Sequence, residues 1–361
     1  MPPRAPRASS VLVLALLTAS FLYFATHVQW HAVPARELPS WRLGSLATSS
    51  SSSSNLSVNL VLATLKADDT SWTSQLAIPN LRVIRYVSDD PRARYRPPVP
   101  RKGREALIYH TYWHDFYDDL PDLSIMVHAE ARPWHLEGAL QQSMVFALSR
   151  LDLDRARARG YANLRVSWEN ACPAWLDTTK TPDEADKQEE PYMREAFAAN
   201  FGPPLEVPRI LAGPCCSQFV VTREAVRQHP RAQYKRSRDW LVETDLSDYI
   251  AGRTWEHMFP WLFRGAATDC PGEAQAYCAM YGVCFEKPDE PARYNKLWQE
   301  KRDLMEATEV LRELLNPQEG VKARQRMAEI DVILKENITV ALTRGQDEST
   351  RAAAFATLFD T

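Results

Sequence analysis

The chain has 361 residues, 45% of them apolar, with 43 Lys and Arg against 46 Asp and Glu. That is enough for a sizeable core in one large domain or two smaller ones. A net charge of -3 with no single-sign block excludes the electrostatic footprint of a protein that tracks a phosphate backbone, so nucleic acid is not an expected partner, and 12 Gly and 25 Pro without a repeat exclude collagen-like and wholly disordered chains.

Residues 1–10 carry Arg4 and Arg7, and Val11 to Val28 then runs nearly without charge, at the lower edge of what spans a bilayer as a helix. The stretch passes through Phe21-Leu22-Tyr23-Phe24 instead of a small-residue cleavage site. The expectation is therefore an uncleaved signal anchor over 11–28. Residues 1–10 would be cytosolic and the bulk would lie in the lumen of the endoplasmic reticulum or Golgi. A cleaved signal, giving a secreted protein, is the alternative. Residues 29–57 contain Pro34, Pro39 and the serine run Ser49 to Ser54, and read as a flexible stem.

An α/β domain is expected over 58–286. Val58 to Leu65 is an apolar, β-branched run of strand length and Leu81 to Val87 alternates, each closed by a turn: Asp68-Asp69 follows the first, Asp89-Asp90 the second. Glu105 to Tyr117 has helix length, and Leu123 to Val127 is a short buried strand running into His128-Ala129-Glu130. Strand, strand, helix, strand in this order predicts a mostly parallel sheet flanked by helices, in which ligands sit at the carboxyl ends of the strands. Asp68, Asp69, Asp89, Asp90, His128 and Glu130 would then share one sheet edge. The competing role of each aspartate is to cap a helix or turn the chain.

Tyr161 to Trp168 and Gln218 to Thr222 predict further strands, and Arg223 to Gln228, Tyr234 to Glu243 and Arg253 to Phe263 predict helices. In the last of these Glu256 lies among large aromatics, where apolar surroundings can raise a carboxyl toward the range of a general base. The alternative is an exposed Glu on a helix whose Trp255, Phe259 and Leu262 face the core. Over 287–345, Leu297, Leu304, Leu311 and Leu315 recur near helical spacing, Asn316 to Gly320 breaks the run, and Val321 to Leu342 resumes it. This predicts a helical hairpin that packs on the domain or mediates self-association, followed by a tail over 346–361.

All six cysteines, Cys172, Cys215, Cys216, Cys270, Cys278 and Cys284, lie beyond the expected anchor. An even set in an oxidising lumen predicts disulfides, with the last three forming a stapled loop and the adjacent Cys215 and Cys216 each reaching elsewhere. Zinc is the rival, but no C-x-x-C pair occurs and the histidines are not clustered with the cysteines. Asn55-Leu56-Ser57 and Asn337-Ile338-Thr339 are acceptor sequons for N-glycans. There is no G-x-G-x-x-G, Walker loop, G-x-S-x-G or H-E-x-x-H.

The segments LVLATLKADDTSW (Leu60 to Trp72), KGREALIYHTYW (Lys102 to Trp113), MVHAEARPWH (Met126 to His135) and PCCSQFVVTREAVRQHP (Pro214 to Pro230), with the Cys270, Cys278, Cys284 loop, resemble the fungal family catalogued as domain of unknown function 3431. The resemblance covers Val58 to Cys284 and implies a single-pass luminal protein. It extends faintly to nucleotide-sugar glycosyltransferases of the type A fold. Those offer D-x-D after a central strand to hold a divalent metal against a diphosphate, where this chain has His128-Ala129-Glu130, a poorer match that can still bind manganese or magnesium. The resemblance thus implies a transferase with Asp68, Asp69, Asp89 and Asp90 at the nucleotide, His128 and Glu130 at the metal, Glu130 and Glu256 as catalytic groups, and a nucleotide sugar and a glycan acceptor as partners. A non-catalytic luminal binding or scaffold protein on the same fold is the alternative.

Overall fold

The computed structural model describes residues 55–136, 138–169, 171–202, 206–308 and 317–359. The expected cytosolic end, the anchor over 11–28 and the stem as far as residue 54 lie outside the described residues. Among the described residues no helix is long and apolar enough to cross a membrane. Packing is already in place before residue 58. Leu56 is buried, and the Ser57 N–H and hydroxyl both donate to the Asp122 carboxylate, at 2.8 and 2.7 Å.

In chain order the elements are β1 (Val58–Thr64), β2 (Leu81–Val87), α1 (Arg104–Asp115), β3 (Leu123–His128), α2 (Met144–Arg150), α3 (Leu153–Arg159), β4 (Tyr161–Asn163), β5 (Leu176–Asp177), α4 (Met193–Phe201), β6 (Ile210–Leu211), β7 (Phe219–Thr222), α5 (Arg223–Arg227), α6 (Arg231–Glu243), α7 (Asp248–Arg264), α8 (Glu273–Tyr281), α9 (Glu290–Ala307), α10 (Pro317–Arg344) and α11 (Glu348–Ala356). The main sheet has the order β2-β1-β3-β7-β4, and β5 pairs with β6 in a separate ribbon. Strand β1 is parallel to both neighbours, with Val58 opposite Leu81 and Leu123. Strand β7 is antiparallel to β3 and β4, with Val220 opposite Ile125 and Ala162. The expectation of a mostly parallel sheet is corrected to a mixed one. A short apolar run buried on both faces, such as Phe219 to Thr222, has the same composition whichever way it points, so its direction is not written in it.

The period of two along each strand divides the interior into two cores. Leu60, Leu62, Ile125, Val127 and Val220 face one core, shared with α2, α3, α8, α9 and α10. Val61, Met126, Phe219 and Val221 face the other, shared with α1, α4, α6 and α7. The result is a helix–sheet–helix sandwich. Helix α7 starts where the Ser247 hydroxyl accepts the Ile250 N–H and stops at Gly265, whose φ of 62° suits a residue without a Cβ.

The C-terminal helices are part of this sandwich. Ile330, Leu334, Ile338 and Leu342 of α10 are buried in the first core, and Arg326 clasps Glu300 of α9 through two bonds of 2.7 and 3.2 Å. Gly320, expected to break the run, is a buried residue inside α10. The expected tail contains α11, whose Arg351 donates to Asp152 at 2.5 Å. Tyr161 to Trp168, expected to be one strand, is strand only as far as Asn163.

The cysteine expectations need three corrections. The bonds are Cys172–Cys270, Cys278–Cys284 and Cys215–Cys216. The adjacent pair therefore closes on itself, with a positive φ of 88° at Cys216. Cys270 leaves the expected stapled loop for a partner 98 residues away, and the loop itself is largely α8. Asn55 is exposed ahead of β1, and Asn337 is exposed on α10.

Candidate functional site

Strand order places the carboxyl ends of β1 and β3 side by side. Strand β1 lies between β2 and β3, and the two connections cross opposite faces. The first contributes Trp72 to one core, and the second contributes α1 to the other. In an open α/β sheet such a reversal leaves a gap above the strand ends where ligands bind. Here the Trp72 indole N–H donates to the Ala129 carbonyl at 2.8 Å, so the loop after β1 is tied to the loop after β3.

Asp68, Asp69, Asp89 and Asp90 stand at this edge, and each carboxylate already takes a loop N–H. Asp68 accepts from Leu65 at 2.7 Å, Asp69 from Ser71 at 2.8 Å, Asp89 from Lys66 at 2.7 Å and Asp90 from Arg92 at 2.9 Å. The Ser71, Lys66 and Arg92 N–H groups hold Asp69, Asp89 and Asp90 below the usual carboxylate range. Arg85 gathers the β1 loop by donating to the carbonyls of Leu65, Lys66 and Asp68, at 3.0, 3.2 and 3.0 Å.

At the end of β3, His128 donates its backbone N–H to Gln218 Oε1 at 3.0 Å, and its Nε2 is buried without a hydrogen-bond partner. Its ring meets His135 edge to face, with centroids 5.3 Å apart. The Gln218 amide donates to His135 Nε2, which requires a neutral imidazole, and burial pushes His135 down to about 3, helped by the charges of His128 and Arg165. Glu130 is exposed. Trp134, with 57% of its surface open, has the Arg165 guanidinium over its ring at 5.7 Å.

Glu256 reaches the same edge from α7. It is half-buried, not on the exposed face that the alternative expectation gave it, and its Oε1 accepts the Cys216 N–H at 2.6 Å. Pro260, four residues on, has no N–H to give to the Glu256 carbonyl, so the helix lacks one backbone bond there. Arg165 places Nη1 at 3.0 Å from Cys215 Sγ. On the same helix, Arg253 and His257 both donate to the buried Glu189, at 2.8 and 3.0 Å. Burial pushes Glu189 up, but these two hydrogen bonds and the charges behind them outweigh it and hold the carboxyl down at about 2.

The fold thus brings His128 and Gln218 together, and Glu256 with the Cys215–Cys216 pair. Among the described residues, the converging set of three possible metal donors is Cys215, Cys216 and Glu256, and no such set contains His128 or Glu130. Sequence reasoning missed Gln218, Arg165 and Glu189. A Gln at the head of an apolar strand is a visible signal, whereas Glu189 sits in an acidic stretch that looks like solvated surface.

A family model described as "Protein of unknown function (DUF3431)" matches residues 60–279, from inside β1 to inside α8. The chain belongs to this family. The DUF3431 match includes the H-A-E segment, the Cys215–Cys216 pair and Glu256, and ends ahead of α9, α10 and α11. No curated protein and no solved structure matches the chain.

Proposed function

We propose that this chain is a luminal, membrane-anchored transferase that binds a nucleotide-sugar donor over the carboxyl ends of β1 and β3 and transfers the sugar to a glycan hydroxyl. The observation that carries the proposal is the connection reversal at β1, bridged by Trp72 and Ala129, with His128 ending the adjoining strand and Glu130 two residues beyond it. The mixed sheet, with one reversed strand beside the strand that ends in H-A-E, supports the likeness to type A glycosyltransferases. Three disulfides fit an oxidising compartment.

His128, whose Nε2 is buried without a hydrogen-bond partner, and the exposed Glu130, two residues on, are the residues that would hold a manganese or magnesium ion together with diphosphate oxygens and water. Such an ion would neutralise charge on the leaving diphosphate. Glu256 takes the proton of the acceptor hydroxyl: the Cys216 N–H orients one of its oxygens, and the other acts as base. Trp134, with 57% of its surface open, offers an aromatic ring to an acceptor sugar.

The second reading is a non-catalytic binding or scaffold protein. It is favoured by the aspartates, all four of which are engaged by N–H groups of the loops at this edge. Thermal shift of the full-length protein against nucleotide sugars, with and without manganese, separates the two. A donor at a hundred times its Kd stabilises by about 2.7 kcal/mol. Glu130→Gln should remove the manganese-dependent part and sugar transfer while leaving the unliganded melting temperature in place. No shift with any nucleotide sugar, or full turnover in Glu130→Gln, would remove the transferase proposal or Glu130 from it.

A further inference from the structure

The donor atoms of Cys215, Cys216 and Glu256 lie within 4.8 Å of one another. The covalent geometry of the cysteine pair does not require this, because Glu256 arrives from a helix 40 residues later and is fixed by the Cys216 N–H at 2.6 Å. As a disulfide the sulfurs are weak ligands. As thiolates they are soft, strong ones. We propose that reduction of Cys215–Cys216 opens a binding site for a thiophilic divalent cation of the zinc and cadmium class, with both thiolates and the Glu256 carboxylate as ligands and water in the fourth position. The site goes beyond the transferase proposal and stands without it.

Charge supports the assignment. Two thiolates and a carboxylate carry three negative charges, of which a divalent cation offsets two, and the Arg165 guanidinium lies 3.0 Å from Cys215 Sγ. Tetrahedral bonds of about 2.3 Å to sulfur and about 2.0 to 2.2 Å to oxygen put neighbouring donors roughly 3.5 to 3.8 Å apart, a spacing the sulfurs can adopt once the bond between them is broken. Cys216 and Glu256 are only half-buried, which leaves a way in. In the reduction a dithiol gives up two electrons: the Cys215–Cys216 bond breaks, the reductant's sulfurs join in a disulfide, and each cysteine gains a proton. Both protons return to solvent when the cation binds. A hard ion such as magnesium would not choose two sulfurs, so this site and the proposed His128–Glu130 site select different metals.

The test is a cadmium titration of the full-length protein, opened with a dithiol under conditions where alkylation mapping shows Cys215 and Cys216 free, then stripped of reductant. The sulfur-to-cadmium charge-transfer band should grow to one equivalent per chain. It should be absent from the oxidised protein, from wild type whose Cys215 and Cys216 have been alkylated, and from the Cys215→Ser/Cys216→Ser variant. Glu256→Gln, which can still accept the Cys216 N–H, should weaken binding at least about tenfold. No band with both thiols free, an equal band after alkylation of the pair, or unchanged affinity in Glu256→Gln would overturn the proposal. The alkylated wild type keeps the test decisive should the double variant fail to fold.

Discussion

Trp72 and Ala129, 57 positions apart in sequence, are joined by an indole N–H to carbonyl bond of 2.8 Å that fastens the first loop of the sheet edge to the third. Both residues are buried, so this bond has no water to replace it. Trp72→Phe keeps an aromatic ring and leaves the carbonyl unpaired, and should cost about 1 to 3 kcal/mol, read from the midpoint of urea unfolding. An unchanged midpoint would mean that the two loops are held by something else.

Acid should destabilise the protein well before its carboxylates titrate. Burial holds His110 far below its ordinary value, and His135 at about 3. Below about pH 6.5 the unfolded chain binds protons that the folded chain refuses. Stability is therefore full above that pH and falls as pH drops toward 3, by up to about 1.4 kcal/mol per pH unit for each histidine. Glu189, held at about 2 in the fold, adds a further loss that begins near the ordinary carboxyl range. Unfolding free energies that stay level from pH 7 to pH 5 would contradict this, and His135→Gln should make the slope shallower.

The disulfides should rank by the loops they close. Cys172–Cys270 spans 98 residues and Cys278–Cys284 spans 6. Chain entropy assigns about 4 to 5 kcal/mol to the first and about 2 to the second. Comparing the two double-serine variants by chemical denaturation checks the order, and a larger loss from the short loop would reverse it.

Gly345 and Gly282 cross at close range where α10 leads into α11, and a methyl at Gly345 would run into the Gly282 carbonyl, which is backbone and cannot swing aside. Gly345→Ala should cost about 1 to 3 kcal/mol. It should also raise hydrogen exchange in α11 before the sheet is affected. Unaltered protection of α11 would show that the crossing tolerates a side chain.

The sequence by itself determined the local elements whose chemistry is local. Val58–Thr64, Leu81–Val87 and Leu123–His128 are strands because apolar and β-branched residues end at turn formers, and the family resemblance read from Val58 to Cys284 agrees with the matched span of 60–279. Polar groups at the strand ends were legible too, since they follow the strands directly in the chain. Three things were decided only by the tertiary structure. The direction of β7 depends on which edge the preceding chain reaches, and Phe219 to Thr222 would be buried either way. The partner of Cys270 lies 98 residues back, and fifteen pairings fit the same six cysteines. Glu256 meets Cys216, and Glu189 meets His257 and Arg253, because α7 packs across the sheet edge, and no spacing in the chain records a contact of that kind. Periodicity encodes which face a residue presents to its own element's neighbours. Convergence of side chains from separate elements is set by how the layers pack.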